Sequence, residues 1–113
     1  MFVLSENEGE VRFIDFGNDK GKVLFQLPVL GDDGVPMGIM SAFGIFWSKF
    51  QDSRDLSEQE VARSWSFFID VLGVTYPDAT IQLAKLDRRN FQHVIEHWVS
   101  ESSRIAGFNP KAQ

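Results

Sequence analysis

The spacing of apolar positions changes once along this chain, from two residues to between three and four. In two short runs, 11–16 and 22–27, β-branched and aromatic residues crowd together. In the second run Val23, Phe25 and Leu27 alternate with Lys22 and Gln26, and Leu24 interrupts the pattern. A period of two belongs to a strand with one buried face. Between the runs lies Gly17-Asn18-Asp19-Lys20-Gly21, built from residues that tolerate positive φ or hydrogen-bond their own backbone. The pair therefore predicts a β-hairpin. A lone hairpin is marginal in water, so it must lie on helices, gain a third strand from Phe2-Val3-Leu4, or pair with another subunit.

Pro28 closes the second strand, and Gly31-Asp32-Asp33-Gly34-Val35-Pro36 is a turn-rich connector. Beyond it the period is helical. Residues 37–50 place Ile39, Met40, Phe43, Phe46, Trp47 and Phe50 in one arc, opposite Gly38, Ser41, Ser48 and Lys49. Gly38 and Gly44 each cost about 1 kcal/mol against Ala, so packing must hold this helix. Ser57-Glu58-Gln59-Glu60 has capping-box spacing and opens a second helix to about Leu72, with Val61, Trp65, Phe68, Ile69 and Leu72 as its buried stripe and Gly73 as its cap. Phe67 falls on the other side of that helix, with Glu60, Arg63 and Asp70. After Thr75-Tyr76-Pro77-Asp78 a short helix runs to about Leu86, and Asp87 caps a last long helix with the stripe Phe91, Val94, Ile95, Trp98 and Ile105. The predicted fold is mainly α, of the α+β class: an N-terminal β-hairpin followed by three to four helices packed in a small bundle. It forms a single domain over 1–113, divided into a hairpin region 1–30, a helical region 36–106 and a flexible tail 107–113 that frays after Gly107.

The chain has 113 residues, enough for one core without covalent staples. Its 11 Phe and 3 Trp exceed what so small an acidic domain needs for a private core. Phe43, Phe46, Trp47, Phe50 and Phe67 are therefore candidate partner-binding residues, since aromatics are the anchors of protein interfaces. Periodicity alone does not separate a core stripe from an interface stripe. A net charge of −5 weighs against nucleic acid, which is held by clustered Lys and Arg. The nearest approach to such a cluster is Lys85, Arg88 and Arg89, with Asp87 among them. No apolar run approaches the ~18 residues of a membrane span, and the first ten residues turn acidic after four, unlike a signal peptide. A soluble, unexported protein is expected, and the absence of Cys suits a reducing interior.

Three constellations bear on chemistry. His93-Val94-Ile95-Glu96-His97 matches the H-x-x-E-H string of inverted zinc proteases, in which two His one turn apart bind zinc. Both His oppose the apolar stripe, and downstream of His97 only Glu101 supplies a carboxylate, so no metal site is expected. No Ser sits in a G-x-S-x-G elbow, and the Gly17 to Gly21 turn lacks the Lys-Ser/Thr ending of a phosphate-binding loop. Asp32 and Asp33 fall short of the five or more oxygens a calcium loop needs. No catalytic residue and no cofactor are expected.

The order of parts resembles a known family. A hairpin ending in Leu27-Pro28 is followed by a connector with Val35-Pro36-Met37-Gly38, an aromatic helix, and an acidic break. A final pair then runs from Leu83-x-x-Leu86-Asp87 to Phe91-x-x-Val94-Ile95-x-x-Trp98. This is similar to the tail assembly chaperones of long-tailed bacteriophages, especially those of actinobacteria. The resemblance covers most of the chain and is strongest around Trp98, with Ser100 and Ser102 after it. It implies a protein of the host cytoplasm, absent from the mature virion, that self-associates into homo-oligomers, coats the tape measure protein and keeps it soluble. Such families often make a longer form by a programmed −1 frameshift, through which tail tube subunits are recruited. Asn109-Pro110-Lys111 permits a slippery heptamer at the required phase, and this chain has the size of the short form. The alternative is a small acidic adaptor or inhibitor that binds a host protein through Phe43, Trp47 and Phe50.

Overall fold

A computed structural model describes residues 1–4, 9–52 and 59–110. Its elements run β1 (Phe13–Gly17), β2 (Val23–Pro28), α1 (Met37–Asp52), α2 (Gln59–Thr75), α3 (Pro77–Ala84) and α4 (Arg88–Ala106). The hairpin followed by helices is the architecture that the change of period predicts.

The two strands are antiparallel, with Ile14 opposite Leu27 and Phe16 opposite Phe25. Their turn is held by Asn18, whose Oδ1 accepts from the amides of Lys20 and Lys22, each at 3.0 Å. Gly21 sits at φ +80°, where a side chain would be strained. After Phe16 the register skips a residue, so that Gly17 faces Val23 and Leu24 is left unpaired. The interruption at Leu24 is thus a bulge, and it corrects the expected apolar face: Val23 turns to solvent while Phe25 and Leu27 stay inward. Of the three ways to stabilise the hairpin, helices supply this one. The sheet has two strands among the described residues, and Phe2, Val3 and Leu4 are exposed rather than paired.

The core gathers on α4. Trp98 is fully buried, and its Nε1 donates to the Pro28 carbonyl at 2.7 Å. One turn later the buried Ser102 Oγ accepts from the Leu30 amide at 2.9 Å. These bonds satisfy the backbone where the chain leaves β2 with Val29 and Leu30 buried, groups that would otherwise each cost about 1–3 kcal/mol. Around Trp98 lie the rings of Phe43 and Phe68, at 5.4 and 5.8 Å.

Helix ends follow local chemistry. Asp87 caps α4 by accepting from the Asn90 amide at 2.8 Å. Gly107, at φ +68°, ends α4 as its amide and that of Phe108 donate back to Ser103 and Ser102. Phe108 then folds into the core with its ring 5.9 Å from Phe43. That contact corrects the expected fraying after Gly107, because the apolar ring directly after the left-handed cap has a pocket to fill. Residues 111–113 lie outside the described residues, as does the capping box at Ser57. α2 also runs past Gly73 to Thr75, stopped by Pro77, which disfavours helix in the residue before it. Gly73 is no cap. It faces α3, where a Cβ would be in ordinary contact with Thr80 at 3.6 Å. α3 closes at Ala84, two residues short of the expected Leu86.

The connector before α1 hides a charge. Asp32 is buried, and it accepts from the Arg12 amide at 2.8 Å, from Nε at 3.1 Å and from Nη2 at 2.6 Å. Hydrogen bonding from Arg12 holds the Asp32 carboxyl below its ordinary 3.8 against the opposing pull of burial. Because the folded value is depressed, this contribution to stability is complete above the ordinary value and is lost as pH falls through the folded one. Asp32→Asn should therefore lower Tm at pH 7 and converge on the parent in acid. Thermal melts from pH 7 down to 2 test this, and parallel curves would contradict it.

Candidate functional site

The structure separates the five candidate partner-binding aromatics. Phe43 and Phe46 are 0 % exposed. Trp47 and Phe50 are half-buried against the same cluster. α1 packs against both α2 and α4, which also touch each other through Trp65 and Phe91 at 4.6 Å: Phe43 meets Phe68 at 5.3 Å, Phe46 meets Trp65 at 5.0 Å, and Phe50 meets Phe91 at 6.4 Å. Trp47 stacks on Phe43, and its buried Nε1 makes no hydrogen bond among the described residues. The assignment of Phe43, Phe46, Trp47 and Phe50 to a partner surface is corrected: they are core and core margin. Four short helices and a hairpin fill their interior with rings, which accounts for the aromatic excess. The adaptor alternative loses the surface on which it depended. Only Phe67 keeps an outward position, 51 % exposed.

A different surface stands open. The outward phase of β1 carries Phe13 and Asp15, and that of β2 carries Leu24 and Gln26. Beside them the start of α3 brings Tyr76, Pro77 and Ala79, and with Phe13, Leu24 and Gln26 these line an open groove of about 530 Å³. Phe13 is 47 % and Leu24 52 % exposed. Phe13 is held edge-to-face by Tyr76 at 6.1 Å, and Gln26 donates to Asp15 at 2.6 Å, so the strand side is pre-set. Burial pushes the Tyr76 phenol up, keeping it neutral. Asp78 and Gln82 form a polar rim. The sequence held a signal for this site. Phe13 is an aromatic in the solvent phase of its strand, and Leu24 breaks the alternation of the other.

The residues weighed for chemistry do not converge. His93 and His97 are exposed on α4, and the His97 ring meets Phe16 edge-on at 5.5 Å. Glu101 is engaged by Arg104, Nε to Oε2 at 2.5 Å, which lowers its carboxyl. Among the described residues no three His, Cys, Asp or Glu side chains gather as metal ligands. Asp32, weighed as a cation ligand, is occupied by Arg12. No helix among the described residues is long and apolar enough to cross a membrane.

Comparison with protein-family models, with curated proteins and with solved structures gives no match. The groove and the surface around Phe67 are therefore read from geometry and charge.

Proposed function

We propose that this protein is a tail assembly chaperone of a long-tailed bacteriophage. It works in the host cytoplasm as a multi-copy, non-catalytic binder of the tape measure protein. The observation that carries the reading is the open groove in which Phe13 and Leu24 stand half exposed beside Tyr76, Pro77 and Ala79. An apolar segment of a long helical client fits such a groove by its side-chain anchors. Phe13 and Leu24 leave roughly 200 Å² of apolar surface, about 5 kcal/mol of gross burial at ~25 cal/mol per Å². Association consumes most of this, so a single site is weak and reversible. Weak sites repeated along a long client suit a protein that must coat it and then leave. The net charge of −5 keeps the coated client apart from its neighbours. Recruitment of tail tube subunits belongs in this reading to a frameshift-extended form, whose extra segment follows the anchored Phe108.

Co-expression with the tape measure protein tests the reading. The parent chain should raise the soluble fraction of the client several-fold, and Phe13→Ser or Leu24→Ser should remove most of that gain while Tm falls only slightly. Full solubilisation by both variants overturns the groove. No solubilisation by the parent overturns the chaperone assignment itself.

A further inference from the structure

We propose that two copies of this chain pair through the outward seam between α1 and α2, about a two-fold axis at Phe67. This gives the self-association in the reading above a place in the fold. It is argued from the seam alone, whose residues are not among those lining the client groove.

The seam is located by two contacts. A Cβ on Gly38 would sit 3.6 Å from Val71, and Lys49 Nζ reaches Glu60 Oε2 at 3.4 Å. As α1 advances from 38 to 49, α2 recedes by the same count from 71 to 60, so the two helices run antiparallel. On α1 the stripe that meets α2 is Gly38, Ala42, Ile45 and Lys49, at helical spacing. On α2 Glu60 and Val71 mark the seam, Phe67 stands on its solvent side between them, and Val74 lies just past its Gly38 end. Of these residues Ile45 is 50 %, Phe67 51 % and Val74 85 % exposed. Apolar groups thus line the solvent side of the seam, which closes at one end on the Lys49–Glu60 ion pair.

Area and charge both point to a second copy as the occupant. The exposed parts of Ile45, Phe67 and Val74 amount to roughly 350 Å², about three-quarters of the apolar share of the ~800 Å² that each partner of a standard interface buries. Charge supplies the self-complementarity. Arg63 and Asp70 flank Phe67 on the outer side of α2, and neither forms an ion pair with another described residue. They are equally distant from the midpoint between Ser66 and Phe67. When a second α2 crosses antiparallel at that midpoint, Arg63 of each copy faces Asp70 of the other, and the opposite charges meet twice. A two-fold interface requires that kind of self-matching patch. A small patch with few anchors suits a weak dimer whose population depends on concentration.

Sedimentation over a concentration series, with circular dichroism to confirm folding, tests this. The parent should move from monomer to dimer. Phe67→Ser should weaken pairing roughly thirtyfold, because the ring enters the interface from both copies. Arg63→Asp and Asp70→Arg should each weaken it roughly tenfold by placing like charges opposite one another. Mixing the two reversed variants should restore dimer, since each variant then supplies the charge that the other lacks. A monodisperse parent monomer at several hundred micromolar overturns the proposal. So does parent-like pairing in Phe67→Ser, or a mixture that stays monomeric. These outcomes are independent of client solubilisation, so this proposal and the chaperone reading can fail separately.

Discussion

Trp98→Ala is expected to leave the domain largely unfolded at 37 °C. Loss of a fully buried indole costs about 3–5 kcal/mol through lost transfer energy and the cavity left behind. The same change orphans the Pro28 carbonyl, which accepts from Nε1 at 2.7 Å, for about 1–3 kcal/mol more. Against a total of about 5–15 kcal/mol for a domain, the sum removes a large part of the stability. Trp98→Phe separates the two terms, because it keeps an aromatic ring and removes the donor. It should cost about 1–3 kcal/mol, a drop in Tm of roughly 5–15 °C at this chain length. Ser102→Ala acts on the same stretch of backbone by orphaning the Leu30 amide. The double variant should therefore fall short of the sum of the singles, since one local loss of the strand exit frees both groups. Thermal and urea melts of the four proteins decide this. An unchanged Tm in Trp98→Phe would show that the carbonyl does not depend on the indole.

The second large effect contrasts two phenylalanines of the chain. Phe43→Ala should destabilise by about 3–5 kcal/mol, since its ring meets Phe46, Trp47, Phe68, Trp98 and Phe108. Phe67→Ala should change monomer stability by less than about 1 kcal/mol, because half of the ring already faces water. Urea midpoints measured at low concentration, where a weak dimer dissociates, keep the two effects apart. Equal losses would mean that Phe67 is packed. A near-neutral Phe43→Ala would mean that the core lies elsewhere. With Phe43 and Phe46 buried, their substitution reports on folding, and only outward groups such as Phe13, Leu24 and Phe67 can report on partners.

Much of the local structure was legible in the chain because it depends on neighbours in sequence. The hairpin follows from alternating residues around an Asn-Asp-Lys-Gly turn, and the start of α4 follows from Asp87 three residues before the Asn90 amide that it accepts. Stripes at helical spacing marked Phe68, Leu72, Ile95 and Trp98 as buried, and they are. What a stripe faces is another matter. Helical period brings Phe43, Phe46, Trp47 and Phe50 to one side of α1, but whether that side meets a partner or a neighbouring helix depends on where α2 and α4 lie. Those positions are set by contacts between residues far apart in the chain. The bonds from Trp98 to Pro28 and from Ser102 to Leu30 each span 70 residues or more, and no local pattern announces them. The same holds for Asp32, which reads as a loop acid until Arg12 is brought against it, and for Phe108, which reads as a tail residue until Phe43 is within reach. By itself the sequence determined the elements, their order and the apolar side of each. Tertiary structure decided which aromatic sides are consumed by packing and which are left to bind, because burial belongs to pairs of elements and periodicity to one.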